Sequence, residues 1–354
     1  MKLFDVLAEM GHEEIAMGSD PKSGYRGIVA IHSTRLGPAL GGTRFWSYAT
    51  DEEAITDALR LSRGMTYKNA VAGLNLGGGK SVIIGDNRTN DREEIFRAHG
   101  RLVESLGGRY ITAEDVGTST SDMDFVHLET EHVAGLAERS GDPSPVTAHG
   151  VFRAVQASAK ARWGSDDLTG KTVAIQGCGS VGRYLAGELH EAGAKLIVTD
   201  IDPKRAERVA KETGAKVVGT DEIYSVTADI FAPCALGGII NDKTIPQLKV
   251  EIVAGGANNQ LLEPRHGDIL EQRGVTYAPD YVANAGGVIN VYGEVAGWDA
   301  EKALKKADEI YDTMLGVFEI AKAESIPSYE AADRLAERRL SSAPSAKPGL
   351  AAVK

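Results

Sequence analysis

The stretch from Thr172 to Asp200 restricts the fold of this chain more than any other. Thr172-Val173-Ala174-Ile175-Gln176 reads as a strand, a helix runs from about Arg183 to Glu191, and Leu196-Ile197-Val198-Thr199 is a second strand closed by Asp200. Between strand and helix, Gly177-Cys178-Gly179-Ser180-Val181-Gly182 fits G-x-G-x-x-G. The glycines permit a tight turn, close approach of backbone to a pyrophosphate, and helix packing; the acid accepts from ribose hydroxyls. Alone the glycine pattern is weak, but in this strand–helix–strand setting it specifies a dinucleotide-binding domain. Asp200 repels a 2′-phosphate, and Ile201-Asp202 offer no arginine to receive one, so NAD is expected over NADP. Lys204 and Arg205 are the cations nearest that position.

Further βα units follow at 215–218, 230–233 and 251–254, each ending in a polar or glycine-rich turn. Those turns, Cys234-Ala235-Leu236-Gly237-Gly238 and Gly255-Gly256-Ala257-Asn258-Asn259, fall at the carboxyl ends of strands, where a nicotinamide would lie. The amides of Asn258 and Asn259 can donate and accept there. The break at 144–147 marks a domain boundary, and 354 residues suit two domains.

The first half carries a different signal. Arg63–Asp86 places Lys68 and Lys80 around Gly77-Gly78-Gly79, followed by apolar Val82-Ile83-Ile84. Glycines there are expected to bring backbone close to a ligand and to allow positive φ. A lysine emerging into a dry site loses part of its preference for the charged form, and a second ammonium, Lys68, depresses it further. Gly79-Lys80-Ser81 ends like a phosphate-binding loop, but its first glycine would have to replace Leu74, and a strand follows where a helix should begin. Asp51 to Gly64 reads as a helix capped by Thr50 or Asp51, delivering Met65 and Lys68 toward the glycines. Asp115 follows the strand Arg109–Thr112, a place where α/β proteins hold reactive groups, and is the candidate acid/base; the alternative is a helix cap, a task open to Ser121 or Asp122. Gly41-Gly42 offer backbone N–H groups to an anion, or form an ordinary glycine turn.

Other features exclude whole classes. A net charge of −11 argues against a nucleic-acid partner. Two cysteines, Cys178 and Cys234, make neither a zinc site nor a disulfide framework, so no metal is expected and the thiols pack as small hydrophobes. No apolar run is long enough to span a membrane, and the acidic opening MKLFDVLAEMGHEE does not read as a signal peptide; a cytoplasmic protein is expected. Trp298 to Ala323 reads as one long helix, 329–340 as another, and 341–354 as a disordered tail.

Six segments together resemble the Glu/Leu/Phe/Val class of amino-acid dehydrogenases: GPALGGTR (37–44), RGMTYKNAVAGLNLGGGKSVIIGD (63–86), GRYITAEDVG (108–117), APCALGG (232–238), AGGANNQL (254–261) and APDYVANAGGVINV (278–291). The resemblance covers roughly residues 1–340, and leucine dehydrogenases are the nearest branch. It implies an α/β protein of two domains with a cleft between them: a substrate and oligomerisation domain, 1–143 with the helix 329–340, and a Rossmann-type domain, 144–328. The implied reaction is reversible oxidative deamination, in which a branched-chain L-amino acid, NAD+ and water give 2-oxo acid, ammonium and NADH. By resemblance Lys68, Gly41, Gly42 and Asn259 bind the substrate carboxylate, with Met65 beside them. Lys80 activates the attacking water, Asp115 exchanges protons with the substrate nitrogen, and Leu40, Ala113, Val288 and Val291 form an uncharged side-chain pocket. The expected cofactor set is Thr147, Gly177, Cys178, Gly179, Ser180, Val181, Gly182, Asp200, Ala235, Asn258 and Asn284. A homo-oligomer, an octamer by analogy, is also implied. Two departures, Gly182 where leucine enzymes often have Ala and Ala134 where they often have Thr, leave valine or phenylalanine enzymes as alternatives, and a non-catalytic NAD sensor as a remote one.

Overall fold

The fold is given by a computed structural model, which describes residues 2–136 and 141–343. The chain forms two compact units. The first comprises Met1–Gly141, Val291–Trp298 and the chain from Ala336; the second comprises Asp142–Asn290 and Asp299–Leu335.

The first unit is built on a five-stranded sheet in the order β1-β2-β4-β3-β5. Its strands are β1 (Glu14–Asp20), β2 (Tyr25–Ser33), β3 (Ala39–Trp46), β4 (Gly77–Ile84) and β5 (Tyr110–Glu114). The hairpin β1–β2 is antiparallel, as is β2–β4, while β3 runs parallel to both β4 and β5. Strand β1 was not anticipated, because Gly18 and its short polar neighbours dilute the alternation. Helices cover both faces: α1 (Leu3–Met10) and α2 (Asp51–Val71) on one, α3 (Arg92–Ser105) and α4 (Thr120–His127) on the other. Successive strand residues point to opposite faces, so Val82 packs with Ala54, Ala58 and Leu59 of α2, whereas Ile83 packs with Phe96 and Met123. Thr50 caps α2, its hydroxyl accepting from the Glu53 N–H at 3.2 Å. The helix does not stop at Gly64; the roughly 1 kcal/mol that an exposed glycine costs relative to alanine is outweighed by the buried face that Thr66, Tyr67, Asn69 and Ala70 extend to Val71.

The glycine run corrects an expectation. Gly77, Gly78 and Gly79 lie inside β4 rather than ahead of it, and none adopts positive φ. A methyl on Gly78 would stand 2.0 Å from the Thr66 nitrogen on α2, and one on Gly79 2.6 Å from the Tyr110 ring. Helix α2 and the Tyr110 ring from β5 press on this segment so closely that only glycine fits.

The second unit holds a six-stranded sheet, order β11-β10-β9-β6-β7-β8, in which every pairing is parallel. Helix α5 (Ser144–Trp163) precedes β6 (Thr172–Gln176), α6 (Ser180–Glu191), β7 (Lys195–Thr199), α7 (Pro203–Thr213), β8 (Lys216–Val217) and β9 (Ile230–Pro233). Then come β10 (Ile252–Val253), α8 (Arg265–Gln272), β11 (Thr276–Tyr277), α9 (Asp280–Ala283) and α10 (Gly286–Val295). Strand order reverses at β6, whose neighbours are β7 and β9, and ligands of doubly wound sheets bind outside such a switch point. The expected helix from Trp298 to Ala323 is two: α11 (Ala300–Asp308), started by the Asp299 carboxylate on the Lys302 N–H, and α12 (Ile310–Glu324). The final helix, α13 (Ser328–Ser342), runs through Ser341 and Ser342, the expected start of the tail; residues 344–354 of that tail lie outside those described.

Val291–Trp298, expected with the nucleotide-binding domain, packs in the first unit. There the Glu294 carboxylate accepts from the N–H groups of Gly135 at 2.9 Å and Leu136 at 3.4 Å. No described helix is long and apolar enough to cross a membrane.

Candidate active site

In the first unit the chemistry gathers at the sheet's centre. Lys80, on β4, is 5 % exposed, and its ammonium lies 2.9 Å from Asp115 Oδ2. Asp115 follows directly on β5; Gly42 makes room for it, since a methyl there would stand 2.8 Å from the Asp115 Cβ. It is no helix cap. Ser119 caps α4 in a reciprocal box with Asp122.

Burial drives the Lys80 ammonium below its ordinary range; Asp115 opposes that fall and Arg44 adds to it. Arg44 thus supplies repulsion of the kind expected from Lys68. For Asp115, burial alone would raise the carboxyl, but the Lys80 and Arg44 charges outweigh burial and hold it below the carboxylate range. The outcome is a base whose proton is loosened and an acid that stays ionised. Such a pair sets a loosened proton beside an ionised acceptor.

Arg44 itself escaped the sequence reading. Its Nε donates to Asp115 Oδ2 at 3.0 Å and its Nη1 to Asp57 Oδ2 at 2.8 Å, while Tyr48 and Arg60 donate to the same Asp57 carboxylate. Only folding brings residues 44, 57 and 115 together, so no spacing rule reveals them.

The remaining substrate candidates of this unit occupy adjacent positions. Leu40 and Gly41 on β3 pair across the sheet with Ile111 and Thr112, and Gly42 with Ala113. Leu40 and Ala113 are buried, and Ala134 is fully buried beside them in sequence register, its N–H donating to the Thr112 carbonyl. The Gly41 carbonyl accepts from Tyr110 OH at 2.6 Å. Met65 and Lys68 lie in the last two turns of α2, both half-buried. Val291 belongs to this unit, whereas Val288 and Asn259 belong to the other.

In the second unit, Gly177 has φ +98°, which an L side chain rarely adopts, and makes the turn. A methyl on Gly182 would stand 2.0 Å from the Gly177 carbonyl oxygen, so this turn admits nothing larger than glycine at its third position. Gly179 is different: a methyl there meets nothing within 4 Å, leaving open space at the amino end of α6. Asp200 accepts from the Cys178 N–H at 2.7 Å and from the Asp202 N–H at 2.8 Å, which aims its carboxylate at the same turn. Lys204, Arg205 and Arg208 line the surface beyond it. An open glycine edge, a helix amino end and an aimed carboxylate fit a dinucleotide.

Asn284 is buried and donates to Asn258 Oδ1 at 2.7 Å and the Gly256 carbonyl at 3.2 Å, tying two candidate loops together. Asn259 is exposed with φ +52°, a conformation in which asparagine is enriched at functional loops. Thr147 sits in the first turn of α5, its hydroxyl donating to the Pro143 carbonyl at 2.8 Å. Ala235 packs on the glycine turn, where a methyl on Gly177 would meet its Cβ at 2.8 Å. Burial pushes the thiols up, Cys178 to about 12 and Cys234 to about 11, so neither is a nucleophile at neutral pH. Among the described residues no acidic, histidine or cysteine cluster could hold a metal.

Known proteins resemble this chain along most of its length. Residues 12–132 match the family described as Glu/Leu/Phe/Val dehydrogenase, dimerisation domain, and residues 201–347 match Glutamate/Leucine/Phenylalanine/Valine dehydrogenase. Residues 146–253 match the NAD-binding domain of D-isomer specific 2-hydroxyacid dehydrogenases. The chain is 58% identical over 343 residues to a leucine dehydrogenase of Geobacillus stearothermophilus, covering 96% of this chain and 94% of that one. It is 59% identical over the same length to a leucine dehydrogenase of Thermoactinomyces intermedius, with the same coverage. The crystal structure of L-tryptophan dehydrogenase from Nostoc punctiforme superimposes with TM-score 0.89 at 47% identity, over 96% of this chain and 99% of that one.

Proposed function

The chain belongs to the Glu/Leu/Phe/Val dehydrogenase family, and from that premise we propose that it deaminates branched-chain L-amino acids oxidatively and reversibly, L-leucine foremost. L-leucine, NAD+ and water give 4-methyl-2-oxopentanoate, ammonium, NADH and a proton. The observation that carries the reading is a buried lysine held at 2.9 Å by a carboxylate that burial fails to neutralise.

The glycine turn and Asp200 would hold the pyrophosphate and ribose of NAD+, which when bound would supply the hydride acceptor. Lys68 and the Gly41 and Gly42 N–H groups bind the substrate carboxylate, with Asn259 assisting. Asp115 takes a proton from the substrate ammonium, leaving an amine lone pair to assist departure of hydride from the α-carbon. Lys80, its proton loosened by burial, removes a proton from the water that adds to the imino carbon and then faces the oxygen as an ammonium. Asp115 returns its proton to the nitrogen, the carbon–nitrogen bond breaks as the hydroxyl proton passes to the departing ammonia, and Lys80 releases its proton to solvent. Leu40, Ala113, Val288 and Val291 carry no charge, so a glutamate side chain would lie there unpaired, whereas an aliphatic one loses nothing. The protein acts in the cytoplasm as a homo-oligomer, an octamer by family resemblance.

The test is a panel of Leu, Val, Ile, Phe, Trp and Glu assayed with NAD and with NADP. The reading expects L-leucine highest by kcat/KM, with valine and isoleucine within about 10–200-fold, since one methylene is worth about 1–3 kcal/mol. No NADH formation with any amino acid would instead favour a sensor, and phenylalanine in first place an aromatic enzyme.

A further inference from the structure

We propose that Arg44 is a positioning residue that presents one chosen oxygen of Asp115 to the substrate nitrogen, and that Asp57 tunes how strongly it does so. This deepens the reading above and rests on it.

Asp115 meets two cations, and both land on one oxygen. Lys80 Nζ reaches Oδ2 at 2.9 Å and Arg44 Nε reaches the same atom at 3.0 Å. Among the described residues nothing donates to Oδ1. The carboxylate therefore has a saturated side and an open one, and only the open oxygen is free to accept from a substrate amine. Its main chain and Cβ are held in place as well. Gly42 packs against its Cβ, and the Asp115 N–H donates to Thr118 Oγ1 at 2.9 Å. Arg44 is fixed in turn, because its fork spans Asp115 and Asp57, and Asp57 is held by Tyr48 at 2.7 Å and Arg60 at 3.0 Å. A lysine could not span both acids with fixed geometry.

Among the described residues, the charged and titratable groups around this centre include Lys80 from β4, Tyr110 from β5, Asp57 and Arg60 from α2, and Tyr48 after β3. Their signs give opposite forecasts for two variants. Without the Arg44 charge, both Asp115 and Lys80 hold protons more tightly, and both limbs of the pH–rate profile move to higher pH. Without the Asp57 charge, Arg44 acts unopposed, protons are held less tightly, and both limbs move to lower pH. Loss of a merely structural ion pair would not produce opposed shifts.

The experiment compares pH profiles of L-leucine oxidation for wild type, Arg44→Gln, Arg44→Lys and Asp57→Asn. Arg44→Gln is expected to lower kcat about 30-fold with KM for L-leucine within about threefold, and to raise the acid limb by about one pH unit. Asp57→Asn should lower that limb by about half a unit, and Arg44→Lys should restore its position while recovering only part of kcat. Unmoved limbs, or shifts of the same sign in Arg44→Gln and Asp57→Asn, overturn the proposal. If Arg44→Gln does not fold, the direction of the Asp57→Asn shift decides. Wild type inactive on every amino acid would refute the enzymatic reading instead. In that case carbon-13 titration of the Asp115 carboxyl in the same variants still decides whether Arg44 and Asp57 push it in opposite directions.

Discussion

Both units depend on clustered glycines, and they use them for opposite ends. In β4 every glycine of the run has atoms where a side chain would go: Ser33 carbonyl at 1.9 Å from a methyl on Gly77, Thr66 nitrogen at 2.0 Å from one on Gly78, Tyr110 at 2.6 Å from one on Gly79. In the turn before α6, Gly179 faces empty space. The first cluster brings protein against protein so that Lys80 emerges into a dry centre. The second keeps protein away, leaving room for the cofactor proposed to bind there. A glycine motif therefore says nothing of function until the place of the missing methyl is known.

The difference can be broken by mutation. Lys80→Ala makes the sharpest cut: turnover should fall at least about 1,000-fold while NAD affinity, measured by fluorescence titration, stays within a few-fold. Equal loss of both would mean that the two functions are not divided between the units as argued. Gly78→Ala comes next, because backbone on α2 cannot step aside as a side-chain tip can. Overpacking should cost about 2–4 kcal/mol in urea unfolding. Retained stability would show that α2 yields after all. Gly179→Ala should leave stability unchanged or raise it by up to about 1 kcal/mol, since φ −67° suits alanine, yet weaken NAD binding about tenfold. Smallest is Asp200→Ala, expected to weaken NAD about fivefold and to narrow the preference over NADP. An unchanged preference would assign that choice to Lys204, Arg205 and Arg208.

The dinucleotide unit was legible because its signals are local: strand, turn, helix and acid follow one another within 172–200. Lys80 and Asp115 were legible as candidates for a similar reason, each lying at a strand in a glycine-bearing segment. What escaped depends on distance along the chain. Arg44 stands in a quoted segment, but its meaning comes from Asp57 and Asp115, which periodicity cannot pair with it. The glycines of β4 were placed correctly in sequence and wrongly in conformation, since nothing local distinguishes a loop that greets a ligand from a strand under a helix. The break at Glu309 escaped because Ala307 and Ile310 on either side are both buried, so the apolar pattern runs on without a mark.

Arg339, near the end of the last helix, donates to the carbonyls of Ala70 at 2.6 Å, Leu74 at 2.8 Å and Asn69 at 3.3 Å. It thereby adds a side-chain donor to the carboxyl end of α2, the helix that carries Met65 and Lys68, beside the Gly73 and Leu74 N–H groups that already donate to the Ala70 and Asn69 carbonyls. Synthesis runs from the amino terminus, so a nascent chain has every residue proposed for chemistry long before it has this clasp. A polypeptide halted at residue 335 would contain the whole proposed active site and still lack the Arg339 contacts to α2. The N-terminal unit, though translated first, is the last to be completed.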